Sequence, residues 1–307
     1  MNEISIIIHQ FILEGGKLHT LPELYQQLEE KIHASNSSIE EISDVLSTDT
    51  ALSVKILKLA NSALYGFRAE VTTLKRALNL IGLNDLKNLI LMDTIANKFS
   101  SNDNCAKIKM EDFWRRSVYT ALIAKRLAKK NKHEEPERLF ISAIMSRLGQ
   151  LVCCATCLNK VSAIIDEHIS LPEKSEFDIE LRHLGFCYNQ VSGALLQHWH
   201  VPENIINSIC YLHAPISAPQ TYQQDSSILN VATIYSGILE LDEVSEHTDE
   251  NNELIIETAD TYLHKTNPAI NHNLHINQSV VEDILFEIEM DALEILQIIF
   301  PRSSLIF

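Results

Sequence analysis

The sequence has few of the residues that interrupt helices. Only 8 glycines and 8 prolines are spread over 307 residues. Every segment whose apolar periodicity can be assigned repeats its apolar residues at helical spacing. The sequence therefore predicts an all-α fold.

Long apolar runs are also missing. No stretch of about 18 or more uninterrupted apolar residues occurs, which excludes a transmembrane helix by that criterion. Residues 1–21 lack the basic start, long apolar stretch and small-residue cleavage site of a signal peptide. We therefore expect no membrane partner and a cytoplasmic location.

Cysteine is too sparse for a disulfide framework. The chain has six cysteines, and they fall on predicted helices in apolar company. Cys154 and Cys157 form a CxxC pair, but no second CxxC or HxxxH accompanies it. We expect buried, reduced core cysteines. The six are Cys105, Cys153, Cys154, Cys157, Cys187 and Cys210.

Positive charge is nearly absent from the C-terminal part of the chain. Residues 1–182 hold 23 Lys and Arg against 24 acids, whereas residues 183–307 hold Lys265 and Arg302 against 17 acids. Such a surface repels phosphate backbones, so nucleic acid is not expected as a partner. A basic protein partner suits it better, with solubility alone as the alternative role.

A helical hairpin over residues 113–146 organises the chain. Its first half reads FWRRSVYTALIAKRLAKK, and its second half, EPERLFISAIMSRLGQLV, follows a largely buried helical pattern. Arg147 interrupts that pattern with a charge, and Gly149 is expected to close the helix. Upstream, Ser38 and Asp49 are placed to cap two helices. Asn61 ends the second of these, and we interpret it as a structural cap rather than a ligand contact.

Three blocks in this order resemble the HDOD (HD-related output domain) branch of the HD phosphohydrolase fold. The first is DTALSVKILKLANSALYGF at 49–67, the second pairs FWRRS at 113–117 with AIMSRLGQLV at 143–152, and the third spans 179–215. The resemblance covers roughly residues 15–235. It implies an all-α, HD-like helical domain with a C-terminal helical extension, and it implies a regulatory role in bacterial signalling.

The resemblance also identifies positions where related proteins carry metal ligands, and here those ligands are replaced. The substituted positions hold Arg116, Ser146, Arg147, Tyr188, Leu212 and Thr233, while His213 is the one candidate ligand that remains. A guanidinium has no lone pair to give a metal, and a single imidazole does not hold a dication. We therefore expect no metal, no cofactor and no enzyme activity.

The replaced site is the candidate ligand site. Arg116 and Arg147 should lie close together, and two like charges in a partly buried pocket need neutralising. An internal carboxylate is the favoured answer. The alternative is a nucleotide or another phosphate-bearing ligand, with Tyr188, Ser146 and His213 adding hydrogen bonds. A residual metal-dependent phosphohydrolase is the third possibility.

The C-terminal residues are expected to form their own region. We divide the chain into an HDOD-like domain, 1–216, and an acidic helical region, 217–307, that packs on or completes the same core. Residues 217–226 are interpreted as a turn-rich linker, followed by amphipathic helices at 227–246, 252–265 and 276–298. The last helix packs on the body, with a homodimer contact as the alternative. The expected function is that of a non-catalytic signalling protein that binds an unknown protein partner.

Overall fold

The computed structural model describes residues 23–33, 38–99, 107–171, 174–245 and 265–300, together with Ile8 and Leu263. Across these residues the regular structure is helical and contains no strand, so the all-α prediction is confirmed. A short 3₁₀ turn at Pro215–Ser217 precedes α12. The α-helices are α1 (Glu23–His33), α2 (Ile39–Ser47), α3 (Thr50–Asn61), α4 (Leu74–Ile81), α5 (Leu83–Phe99), α6 (Met110–Lys130), α7 (Pro136–Met145), α8 (Leu148–Ser170), α9 (Glu176–Leu184), α10 (Tyr188–His198), α11 (Glu203–Cys210), α12 (Gln220–Ser245), α13 (Pro268–Asn273) and α14 (Gln278–Ile299).

Helix α6 lies at the centre of the fold. It pairs with α7 as the predicted hairpin, and it also packs against α12 and α14 from the C-terminal region. Most of its residues are buried, including Val118, Leu122 and Leu127. A helix that is buried on most of its sides must be surrounded by other helices. The C-terminal helices therefore share a core with the residues upstream of them.

The short N-terminal helices begin and end at local capping contacts. The Ser38 hydroxyl accepts a hydrogen bond from the Glu41 backbone N–H at 3.2 Å, and Asp49 accepts one from Leu52 at 2.9 Å. Each such cap contributes about 1 kcal/mol. At the end of α3, the Asn61 amide donates to the Val71 carbonyl at 2.8 Å and accepts from its N–H at 2.7 Å. Asn61 therefore has a structural role, as the sequence favoured.

The second half of the hairpin is broken, which corrects the prediction that one helix runs to Gly149. Ser146 and Arg147 form a turn between α7 and α8, and Gly149 lies in the first turn of α8. A Cβ at Gly149 would lie 2.0 Å from the Tyr188 carbonyl oxygen. The Gly149 N–H donates to the Ser192 hydroxyl at 2.7 Å, and that hydroxyl donates to the Ser146 carbonyl at 2.7 Å. Glycine is needed here because α8 and α10 touch at their backbones.

The predicted linker at 217–226 is wrong, since α12 already begins at Gln220. Asp225, which lies inside that segment, is only 4% exposed. Its carboxylate accepts hydrogen bonds from His133 at 2.8 Å and from Arg138 at 2.7 Å. Asp225 therefore belongs to a buried ionic network that joins α12 to the hairpin, whereas several other polar residues of the segment are exposed on the first turns of α12 and just before them.

The last helix is fixed to the body by contacts in its C-terminal half and just after its end. Arg126 of α6 donates to Asp291 at 2.7 Å, and the ring of Phe300 stacks on Trp114 with centroids 4.2 Å apart. Helix α14 covers the predicted stretch 276–298 closely. The predicted helix at 252–265 falls largely outside the described residues.

One cysteine departs from the prediction. Cys154 is disulfide-bonded, which contradicts the expectation that all the cysteines are reduced. Four others are free thiols: Cys153, Cys157, Cys187 and Cys210. The sequence does not show which cysteines are bridged, because a disulfide forms only where the folded geometry brings two cysteines together.

The stretch Pro136–Ser170, which comprises α7, the turn at Ser146 and Arg147, and α8, is long and apolar enough on average to cross a membrane. However, 83% of its most apolar window is buried inside the described structure. A core helix passes the same test of length and composition, and burial is what distinguishes it from a lipid-facing span.

Candidate functional site

Two of the predicted site residues meet at a single carboxylate. Arg116 comes from the buried helix α6, Arg147 from the break between α7 and α8, and Glu176 from the first turn of α9. The Arg116 Nη2 donates to Glu176 Oε2 at 2.9 Å, and the Arg147 Nη2 lies 3.9 Å from Glu176 Oε1. The three side chains are 12%, 14% and 22% exposed, respectively. Glu176 therefore supplies an internal negative charge between the two guanidiniums.

The charges of this cluster determine the protonation of its acids. Burial alone would raise the pKa of Glu176, but Arg116 and Arg147 outweigh it and hold the pKa well below its usual range. Glu180 lies one turn further along α9. Burial and the neighbouring Glu176 charge raise its pKa well above the usual range. The surroundings thus favour the ionised form of Glu176 and the protonated form of Glu180.

A small cavity of about 30 Å³ lies beside the cluster. Five of its lining residues were predicted to stand at former metal-ligand positions, besides the surviving His213. A cavity of this size holds one or two water molecules, and a whole nucleotide does not fit inside it. The residues that line it are Ser146, Arg147, Gln150, Glu176, Glu180, Tyr188, Asn189, Leu212, His213 and Thr233.

Two buried polar atoms at the cavity lack a hydrogen-bond partner. They are the Tyr188 hydroxyl and the Asn189 Oδ1, on residues that are each 5% exposed. Asn189 is held in place because its amide nitrogen donates to the carbonyl oxygens of Ile209 and Cys210, at 2.9 and 3.1 Å. A buried polar group without a partner costs about 1–3 kcal/mol. Water molecules in the cavity would remove that cost by forming hydrogen bonds with these two atoms.

The remaining predicted site residues are engaged locally. The Ser146 hydroxyl donates to the Ala143 carbonyl at 2.7 Å, and the Thr233 hydroxyl donates to Leu229 at 2.9 Å, so both satisfy their own helices. The His213 ring packs on Phe177 with centroids 4.9 Å apart. Burial lowers the pKa of His213 to about 4, so the imidazole is neutral around pH 7.

The residues present do not fit the divalent metal that the fold implies. Within the described part of the chain, no group of three or more His, Cys, Asp or Glu side chains is arranged to hold a metal ion. Glu176 and His213 are at the site, but Arg116 donates directly to the Glu176 carboxylate. A dication there would have to compete with that cation for the same oxygens.

Sequence reasoning missed Glu176 and Glu180 by name, although it anticipated an internal carboxylate. Their spacing of four residues places both on the helix face that also carries Leu184, which is buried. Two acids on the apolar side of a short helix are a usable signal, since buried acids need partners. The spacing of the two acids does not identify the residue that pairs with Glu176, because Arg116 lies 60 residues away in the sequence.

Comparisons with known proteins agree with this architecture. A solved HDOD domain protein of unknown function from Geobacter sulfurreducens superposes with a TM-score of 0.69 at 18% identity, covering 96% of this chain and 98% of that one. A protein from Shewanella amazonensis SB2B, provisionally named a phosphohydrolase, superposes with a TM-score of 0.66 at 20% identity, covering 94% and 97%. At these identities the likeness shows the fold alone.

A curated relative of uncharacterised function from Treponema pallidum (strain Nichols) is 26% identical over 216 residues. That match covers 68% of this chain and only 40% of the relative's length. The sequence profile of the HDOD domain matches residues 18–215, which is more than half of the chain. The chain belongs to the HDOD domain family.

Proposed function

We propose that this chain is a non-catalytic regulatory HDOD protein that acts in the bacterial cytoplasm by binding another protein. The observation that carries the proposal is the shared Glu176 carboxylate. It neutralises Arg116 and Arg147 at the positions that resemble metal-ligand positions of the HD fold. Metal-assisted hydrolysis needs ligand lone pairs and an open coordination position for water or substrate. The guanidiniums supply neither.

The signalling part of the proposal draws on a structural relative. A protein from Marinobacter aquaeolei VT8, provisionally named a signal transduction protein, superposes with a TM-score of 0.64 at 16% identity, covering 98% of this chain and 66% of that one. The likeness itself supports the fold. The name of that protein indicates a role in signal transduction, and we extend this role to the present chain as a hypothesis.

The nucleotide-sensor alternative is less well supported by the geometry. Its ligand would have to occupy a cavity of about 30 Å³ and displace Glu176 from Arg116. Both steps oppose binding, because the cavity holds one or two water molecules and the displaced carboxylate would lose a charge-assisted hydrogen bond.

Metal analysis and a turnover assay test the proposal. The purified full chain is incubated separately with Mn²⁺, Fe²⁺, Zn²⁺ and Mg²⁺, desalted and analysed for bound metal, and hydrolysis of bis(p-nitrophenyl) phosphate is followed. A phosphohydrolase with an intact HD motif serves as the positive control. We expect substoichiometric metal and no turnover above the buffer rate. Stoichiometric metal with turnover that a chelator abolishes would overturn the proposal.

A further inference from the structure

Helix α14 displays two large apolar side chains to solvent. Phe286 is 84% exposed and Met290 is 73% exposed, and they are the two most exposed large hydrophobic residues of the described structure. Four residues separate them, so they lie one helical turn apart on one face. Single exposed apolar residues are ordinary, whereas adjacent ones point to an interaction surface.

Acids surround this pair along the same helix. Glu282 lies one turn before Phe286, and Glu294 lies one turn after Met290. Further exposed acids flank the pair, and α14 contains no Lys or Arg. We call this surface the α14 strip. It consists of Glu282, Asp283, Phe286, Glu289, Met290 and Glu294, all of them exposed.

The α14 strip is held rigidly by the opposite face of its helix. Ile288 and Ile295 are fully buried in the core. Arg126 of α6 donates to Asp291 at 2.7 Å, and the Glu294 carboxylate accepts the Ala63 N–H at 3.1 Å. A preordered surface binds with a smaller loss of conformational entropy. The exposed residues are therefore presented in a fixed arrangement.

We propose that the α14 strip docks a basic amphipathic helix of a partner protein. The inference rests on the proposed function and names the surface that would perform it. Apolar residues of the partner would cover Phe286 and Met290, and its Lys and Arg side chains would approach Glu282, Asp283 and Glu289. Aromatic and Met side chains suit the centre of such a contact, and the charges set its rate and specificity.

The charge of the α14 strip argues against other occupants. A second copy of the chain would bring the same acids face to face, and like charges in an isologous contact repel. Nucleic acid and an anionic lipid surface are repelled for the same reason. A cationic segment is the occupant that complements both the apolar pair and the surrounding acids.

Two synthetic peptides of identical Leu and Lys composition test the proposal against the full chain. One places Leu at helical i, i+3, i+4 spacing, and the other is scrambled. Binding is measured by fluorescence anisotropy at low and at high salt. The variants are Phe286→Ala with Met290→Ala, and the control Ile169→Ala, whose side chain is 72% exposed on α8.

We expect the amphipathic peptide to bind at least about tenfold more tightly than the scrambled one. The double variant should lose at least about tenfold in affinity, the control should keep its affinity, and salt should weaken binding. Because Phe286 and Met290 are exposed, their truncation should leave the fold intact, and circular dichroism checks this.

Three outcomes would overturn the proposal. Equal affinity for the two peptides would mean that charge alone attracts them. Equal losses of affinity in the double variant and the control would mean that the peptide does not bind at the α14 strip. If the wild-type chain sediments as a dimer and the double variant sediments as a monomer, the surface binds a second copy of the chain. None of these outcomes changes the result of the metal and turnover assays. Failure of the docking proposal can therefore be distinguished from failure of the proposed function.

Discussion

Replacing Glu176 by Gln should destabilise the protein by about 3 kcal/mol. The substitution keeps the shape of the side chain and removes the charge that neutralises Arg116 and Arg147. Removing one partner of a buried ion pair costs about 3–5 kcal/mol, because it leaves an uncompensated charge in the interior. We take the lower end of this range, because the three side chains are still 12% to 22% exposed and water partly screens their charges.

The loss should depend on pH in a defined direction. The folded-state pKa of Glu176 is held below its unfolded value, so its contribution to stability is present above the unfolded pKa, about 4.3. It is lost as the pH falls through the folded-state pKa. The difference between wild type and Glu176→Gln should therefore be constant around neutral pH and should shrink progressively in acid.

Urea denaturation followed by circular dichroism measures the effect. At neutral pH the unfolding constant of Glu176→Gln should rise more than about a hundredfold. Glu289→Gln is the matched control, since this acid is exposed on α14, and it should change stability by less than about 0.5 kcal/mol. A double-mutant cycle with Arg116→Met isolates the pair. If the two changes add within about 0.5 kcal/mol, Glu176 and Arg116 are not coupled and the reasoning is refuted.

Two further substitutions probe the packing that positions the site. Asp225→Asn should cost about 3 kcal/mol in a urea melt, because it removes the buried carboxylate charge from the network and leaves Arg138 paired with the exposed Glu135 alone; an unchanged midpoint would show that the network is energetically neutral. Gly149→Ala should cost about 3 kcal/mol or more, because its Cβ would lie 2.0 Å from the Tyr188 carbonyl oxygen and would force α8 away from α10. A thermal melt within a degree or two of wild type would contradict that close approach.

The sequence alone determined the features that depend on neighbouring residues. Helical periodicity predicts the all-α fold, and the caps at Ser38 and Asp49 follow from contacts that span three residues. The prediction that Arg116 and Arg147 stand at former metal-ligand positions follows from the resemblance of their motifs, and residue chemistry adds that a guanidinium cannot ligate a metal. Such features need no knowledge of which helices meet.

Only the tertiary structure decided which distant residues meet. The acid that neutralises the two arginines is Glu176, which is 60 residues away from Arg116, and periodicity carries no information about such a pair. Residues 217–226 resembled a polar linker, although Asp225 is buried there because His133 and Arg138 satisfy its charge. Gly149 resembled a helix end, whereas it lies inside α8 because the backbone of α10 leaves no room for a side chain. In each case a polar or small residue has two local interpretations, and the packing of another helix against it selects one.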